Sequence, residues 1–125
     1  MQLRPLGKTG FNVTPICVGT SALGSFPAQY GYEVTADQAL ATLRAAFDGP
    51  FNFIDTSNEY GNGGDSERHI GRAIAERGGL PKGFVLATKV DPLVGSNDFS
   101  GIVLRGQSRR VLSALASTDS GFPTK

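Results

Sequence analysis

Residues 51–72, FNFIDTSNEYGNGGDSERHIGR, are the stretch that decides how the rest of the chain is interpreted. The segment opens on a short apolar run, Phe51–Ile54, which ends abruptly at Asp55. A glycine-rich polar loop that contains Tyr60 follows. From Ser66 onward, apolar residues three and four positions apart predict a helix. An acid at the end of a buried strand, with a tyrosine in the next loop, makes this segment a candidate site.

The composition is that of an ordinary globular protein of 125 residues, with 39% hydrophobic and 18% charged side chains. Because 12 basic residues nearly balance 11 acidic ones, neither nucleic acid nor a membrane surface is expected as a partner. No apolar run is long enough to cross a bilayer, and no signal peptide is recognisable. One cysteine and one histidine exclude an internal disulfide and a Cys/His zinc cluster. A cytoplasmic protein without a metal site is therefore expected.

The segments before residue 51 predict a hairpin, a strand and a helix. Two short extended pieces around Gly7–Gly10 predict the hairpin. The apolar run Ile16–Thr20 is typical of a strand buried on both faces, so Cys17 is expected to be a core residue. Thr35 and Gln38 form a capping-box pattern that predicts the start of the helix.

The order of the elements predicts the fold class. Gly49-Pro50 ends the first helix, and Phe84–Val90 has the composition of a third buried strand. The resulting order is a hairpin followed by β-α-β-α-β, which indicates an α/β fold with a parallel sheet and right-handed crossovers. After Asp91 the pattern weakens, and only one short helix, from about residue 107 to 115, is predicted.

Three predicted strand ends carry residues that could do chemistry: Gly19-Thr20, Asp55 and Lys89. Ligands of parallel α/β proteins collect at this rim of the sheet. A tyrosine donates a proton near neutral pH only if its phenolate is stabilised, and a lysine held by an aspartate would do that for Tyr60. The alternative is an Asp-Lys ion pair buried for structural reasons, with the tyrosine packed on it. Spacing alone does not separate the two interpretations.

Other residues of the segment favour structural roles. Its glycine loop matches neither the dinucleotide fingerprint nor the P-loop, so a flexible loop with a helix cap is the better interpretation. His69 is expected to be a solvated helix residue, and Glu67 and Arg68 to form a charged surface turn.

At these residues the chain resembles the aldo-keto reductase family. The similar segments are RPLGKTGFNVTPICVGTSALG, FNFIDTSNEYGNGGDSERHIGRAI and FVLATKVDP, within residues 2 to about 101. The resemblance implies a hairpin and the first three βα units of a (β/α)8 TIM barrel that interconverts carbonyls and alcohols with NADP or NAD. It further implies Asp55, Tyr60 and Lys89 as catalytic residues, and Gly19, Thr20 and Asp55 as residues near the cofactor. Sugar and pyridoxal dehydrogenases look most similar, which implies a small carbonyl compound or sugar as substrate.

The chain departs from the family pattern after residue 101. The histidine that ends the fourth strand in the family has no counterpart, and neither do the late segments that hold the adenosine phosphates. We therefore expect residues 1–101 to be the N-terminal part of a truncated barrel that is a poor enzyme alone. A non-catalytic fragment that needs a partner chain, or a small α/β interaction module, are the alternatives.

The tail of residues 102–125 suggests a reason for the departure. Relatives continue with a helix resembling DRVRRSVEESLERLGLDRLDL, whereas this chain has IVLRGQSRRVLSALASTDSGF. Allowed codons for residues 102–122, read one base earlier, encode DRVARSVEESLERLGLDRLRL. The hypothesis is that one nucleotide was lost near codon 101, which makes residues 102–125 an aberrant, frameshifted tail.

Overall fold

A computed structural model describes residues 1–92 and 96–116, with side chains described as far as residue 109. In the described part the chain forms a small hairpin, a three-stranded parallel sheet and four α-helices. The predicted α/β fold class is confirmed. The described strands make an open arc, not a closed barrel.

The hairpin pairs β1 (Arg4–Pro5) with β2 (Asn12–Val13) in antiparallel register. The turn between them is closed by a hydrogen bond from Leu6 N to Phe11 O (2.8 Å). Asn52 attaches this hairpin to the rest of the fold, because its side-chain amide donates to Asn12 O and to Gly83 O at 2.9 Å each. The predicted hairpin is thus confirmed and lies at the end of the sheet where the central strand begins.

The sheet has the strand order β3 (Val18–Gly19), β4 (Phe53–Asp55) and β5 (Val85–Ala87). Both pairs are parallel, and strands that are consecutive in the chain are neighbours in the sheet. Gly19, Asp55 and Ala87 stand in one row across it. Sequential parallel order with one long helix per crossover is the arrangement of a barrel wall, in which these helices lie on the same side.

Two long helices cover that side. Helix α2 (Ala36–Asp48) begins at a complete capping box, since Thr35 accepts from Gln38 N and the Gln38 side chain accepts from Thr35 N. It ends at Gly49, as predicted. Helix α3 (Asp65–Arg77) follows the glycine-rich loop and ends at Gly78 in the left-handed conformation, which glycine adopts without a steric penalty.

The core lies between the sheet and these two helices. Its largest fully buried members come from one apolar stripe of each helix and from the central strand: Leu40, Leu43, Ile54 and Ile70. Val18 and Leu86 flank Ile54 in the same row and pack against this core. Side chains alternate across a sheet, so the residues next to these along each strand lie on the opposite face.

Cys17 corrects one expectation, because it is exposed and not a core residue. The apolar composition of residues 16–20 predicts burial on both faces. Val18 takes the covered face, and Cys17 therefore points to the face that no described element covers.

The remaining helices are α1 (Pro27–Tyr30), after a 3-10 turn at Ser21–Gly24, and α4 (Gly101–Ala116). Helix α4 packs on α3 and begins six residues earlier than predicted. Ser100 explains the earlier start, because its carbonyl and hydroxyl oxygens accept the first amides of the helix, from Leu104 and Val103.

Candidate active site

Asp55 and Lys89 meet at the rim of the sheet as an ion pair. The distance from Lys89 Nζ to Asp55 Oδ2 is 2.6 Å, and the same ammonium donates to Thr56 O at 2.9 Å. Asp55 ends β4, and Lys89 lies two residues beyond the end of β5. Since the strands are parallel neighbours, their carboxyl ends bring the two side chains together.

The pair is accessible, which corrects the structural alternative of a buried ion pair. The side chains of Lys89 and Asp55 are 43% and 38% exposed. Partial burial opposes the charged form of Lys89, but the hydrogen bonds and charges of Asp55 and Tyr60 outweigh it and raise the pKa of Lys89 above its ordinary value. Lys89 therefore stays a cation over the whole physiological range.

Tyr60 completes the cluster from the loop after β4. Lys89 Nζ lies 5.1 Å from the centre of the Tyr60 ring, within the range of a cation–π contact. The backbone of the tyrosine is held on both sides, as Tyr60 N donates to Ser57 O (3.1 Å) and Tyr60 O accepts from Ser66 N (3.0 Å). Lys89 thus contacts both of the other predicted catalytic residues, Asp55 and Tyr60, at the end of the sheet.

The predicted cofactor residues Gly19 and Thr20 occupy different environments. Gly19 is in register with Asp55, and a Cβ added to it would find no atom within 4 Å, so the sheet is open there. Thr20 has 0% exposed surface. Its hydroxyl donates to Asp55 O (3.1 Å) and accepts from Ser66 Oγ (2.9 Å), so its side chain ties two strand ends to helix α3.

Two residues near the site differ from expectation. Glu67 is only 1% exposed and is not part of a surface turn. It accepts a hydrogen bond from Thr88 Oγ1 at 2.6 Å, and burial raises the pKa of its carboxyl. His69 is 5% exposed and not solvated, and burial lowers its pKa. Both residues are buried in α3. A helical-wheel count would have indicated the burial of Glu67, which lies three positions before Ile70, but not that of His69, which is about 100° away from it.

Cys17 lies beside the ion pair on the open face. Partial burial raises the pKa of its thiol, the negative charge of Asp55 adds to the rise, and the positive charge of Lys89 opposes it. These influences place the sulfur within electrostatic range of both groups. The sole cysteine of the chain is therefore a neighbour of the candidate site.

Sequence reasoning also missed Ser57, Asn58 and Asp91, which link the two strand ends that carry Tyr60 and Lys89. Ser57 Oγ donates to Asp91 Oδ2 at 2.5 Å, and Asn58 forms two further bonds to Asp91. The signal that could have found them is positional. All three are polar residues placed just after a predicted buried strand, on neighbouring strands.

In the described part of the chain, no helix is long and apolar enough to cross a membrane. Among the described residues, no group of three or more histidine, cysteine or acidic side chains is arranged to hold a metal ion.

Comparison with known proteins gives a consistent match. The model of the aldo/keto reductase family matches residues 15–115. The chain is 35% identical over 123 residues to the oxidoreductase YrpG of Bacillus subtilis, covering 92% of this chain and 36% of that protein. It is 38% identical over 100 residues to L-galactose dehydrogenase of Arabidopsis thaliana, covering 80% and 30%.

A solved structure shows the same fold. The aldo-keto reductase AKR11C1 from Bacillus halodurans, in its holo form, superposes with a TM-score of 0.72 at 24% identity, over 92% of this chain and 36% of that one. The chain thus spans about a third of the length of the relatives it matches.

Proposed function

Since this chain belongs to the aldo/keto reductase family, we propose that it is the N-terminal part of an NAD(P)-dependent oxidoreductase that interconverts a carbonyl compound and an alcohol. The observation that carries the proposal is the contact of Asp55, Lys89 and Tyr60 at the open rim of the sheet. In the direction of reduction, Tyr60 donates its hydroxyl proton to the carbonyl oxygen of the substrate. Lys89 stabilises the phenolate that remains, and Asp55 holds Lys89 in place.

The open face beside Asp55 fits a flat ring. Gly19 leaves free space in the row that contains Asp55, because a Cβ added to it would meet no atom within 4 Å, and a nicotinamide could lie on the sheet there. When bound, NADPH or NADH would supply the hydride to the carbonyl carbon. Thr20 contributes by fixing the end of β3, because its hydroxyl is already engaged with Asp55 O and Ser66.

We propose a small aldehyde, ketone or cyclic sugar as the substrate. The similarity to a protein named L-galactose dehydrogenase supports the sugar, whose anomeric hydroxyl would be oxidised to a lactone with Tyr60 accepting the proton. The exposure of the ion pair leaves room for such a polar compound at the rim.

We also propose that residues 102–125 are read in the wrong frame, although the family match extends to residue 115. The one-base shift converts 21 consecutive residues into a family-like helix and strand, and only the first base of each shifted codon is free. Sequencing of the coding DNA tests this directly. If no single-base insertion near codon 101 opens a reading frame into further barrel strands, the frameshift is excluded.

The functional experiment compares two proteins. We expect the 125-residue chain to show negligible NADPH or NADH oxidation with a panel of aldehydes, ketones and sugars, because three parallel strands leave the sheet open. The protein expressed from the gene with one base restored is expected to oxidise NADPH or NADH with at least one compound of this panel. A frame-restored protein that binds neither cofactor in a fluorescence titration would overturn the proposed function.

The role of Tyr60 is tested in the frame-restored protein. Tyr60→Phe removes the proton donor and is expected to lower kcat by about 10²–10⁴-fold, the usual contribution of a general acid. Tyr32→Phe is the matched control, because Tyr32 is 53% exposed and lies in the segment after α1. Equal activity of the two variants would exclude Tyr60 as the acid.

A further inference from the structure

Asn58 and Asp91 form a reciprocal pair between the loop after β4 and the segment after β5. Asn58 Oδ1 accepts from Asp91 N at 2.9 Å, and Asn58 Nδ2 donates to Asp91 O at 3.2 Å. One side-chain amide thus satisfies both backbone polar groups of one residue, as a neighbouring strand would. Ser57 adds a third link, since its hydroxyl donates to Asp91 Oδ2 at 2.5 Å.

This pair lies just where the regular sheet ends. The last bond of the ladder between the two strands runs from Thr56 N to Ala87 O at 2.9 Å. Beyond it, the backbone needs other partners to stay ordered. Asn58 precedes Tyr60 by two residues, and Asp91 follows Lys89 by two, so the pair spans the two strand extensions that carry the site.

The side chain of Lys89 depends on its surroundings to hold one position. It is long, 43% exposed and bound through its terminal ammonium alone to Asp55 and Thr56. A long, flexible side chain of this kind loses conformational entropy when it is ordered. Its position over Tyr60 therefore depends on where the backbone holds its Cα.

A second anchor lies on the other side of Lys89. Thr88, the preceding residue, donates to the buried Glu67 of helix α3 at 2.6 Å. This bond ties the segment to the helix but makes no contact with the loop that carries Tyr60. Apart from the contacts of the Lys89 ammonium itself, the segment is linked to the tyrosine loop through Asp91, which bonds to Asn58 and Ser57.

We propose that Asn58 and Asp91 are positioning residues that hold Lys89 against Tyr60 and Asp55. The inference rests on the proposed function, because it assigns these residues to the site that would carry out the proton transfer. Neither residue needs to touch a substrate. Their effect is to fix the separation of two strand extensions that the sheet itself leaves unpaired.

The test measures the ionisation of Lys89 in the 125-residue chain. Lysine side chains labelled with ¹³C at Cε are titrated by NMR, and Lys89→Arg assigns the signal. In the wild type, Lys89 is expected to titrate higher in the folded chain than in the chain unfolded by urea. Asn58→Ala is expected to lower the folded value by about half a unit or more, a threefold change in proton affinity.

Two further variants make the test specific. Asn62→Ala is the matched control in the same loop, because Asn62 bonds to Asp65 and Arg68 only through its backbone. It is expected to leave the titration of Lys89 unchanged. Ser57→Ala removes one link of the three and is expected to have a smaller effect in the same direction as Asn58→Ala. A role in stability alone would shift the unfolding midpoint without moving the titration of Lys89.

The outcomes separate the two proposals. A wild-type Lys89 that titrates equally in the folded and unfolded chain would contradict the Asp55–Lys89 pair, and with it the proposed function. An elevated wild-type value that Asn58→Ala leaves unchanged would overturn the positioning role only. Loss of the folded state in both Asn58→Ala and Ser57→Ala would also overturn it, because these residues would then maintain the whole fold and not the site.

Discussion

The backbone of Gly24 lies against that of Gly61, so closely that a Cβ added to Gly24 would stand 2.4 Å from the Gly61 nitrogen and 2.5 Å from the Tyr60 carbonyl carbon. Real Cβ atoms do not approach backbone this closely, so any larger residue would push the two loops apart. The loop after β3 thus packs directly against the loop that carries Tyr60.

The first prediction concerns this contact. Gly24→Ala is expected to destabilise the chain by about 1–3 kcal/mol, the usual cost of overpacking, because the backbone of Tyr60 and Gly61 must move. Urea unfolding followed by circular dichroism measures the change. Gly106→Ala is the control, since its Cβ would meet no atom within 4 Å, and it is expected to be neutral or stabilising in helix α4. Equal stability of the two variants would refute the close contact.

The second prediction concerns the attachment of the hairpin. Asn52 accepts from Thr14 N at 2.7 Å and donates to Asn12 O and Gly83 O, so it joins three segments. Asn52→Ala leaves these backbone groups without their partner and is expected to cost about 1–3 kcal/mol. Amide hydrogen exchange is expected to accelerate at Thr14. Asn97→Ala, in the exposed segment before α4, is the control and is expected to change neither quantity.

The third prediction uses Cys17 as a reporter of the site. Burial and the charge of Asp55 raise the pKa of its thiol, so the pH profile of its alkylation by iodoacetamide is expected to have a higher midpoint than in the urea-unfolded chain. Asp55→Asn removes one cause of the rise and leaves the positive charge of Lys89. The midpoint in this variant is therefore expected to fall.

The control for the alkylation experiment is Asp98→Asn, because Asp98 is not among the charges that act on the thiol. Its profile is expected to match that of the wild type. A wild-type midpoint below that of the unfolded chain, or one that Asp55→Asn raises, would be incompatible with Cys17 lying beside Asp55.

The fourth prediction concerns pH and the buried Glu67. Burial raises the pKa of this carboxyl in the folded chain above the ordinary 4.5, so the folded state binds its proton more tightly than the unfolded state does. The contribution of Glu67 to stability therefore falls as pH rises from 4.5 through the folded-state pKa. Glu67→Gln removes this dependence, and its stability relative to the wild type is expected to increase across that window.

Urea unfolding between pH ~4 and ~8 measures this difference. Glu33→Gln, at an exposed position before α2, is the control and is expected to follow the wild-type curve. A Glu67→Gln variant whose stability relative to the wild type decreases as pH rises would show that the carboxylate of Glu67 is stabilised, not penalised, by its surroundings.

Much of the local structure follows from the sequence. The capping box at Thr35, the helix stop at Gly49 and the order of strands and helices all depend on residues close together in the chain, so their patterns are visible in one dimension. Asp55 and Lys89 were predicted to lie close together, because the carboxyl ends of neighbouring parallel strands lie at the same edge of the sheet. The resemblance to a family added the roles of these residues.

Other features were decided only by the tertiary structure. The exposure of Cys17 and the burial of Glu67 and His69 depend on which face of an element is covered by other segments, and the sequence of that element alone does not show this. The contact of Gly24 with Gly61 and the pairing of Asn58 with Asp91 join residues more than thirty positions apart. The sequence by itself predicted the elements and brought the candidate residues to one rim of the sheet, whereas packing between distant segments decided the geometry of the site, because burial and close contact are properties of the assembled fold.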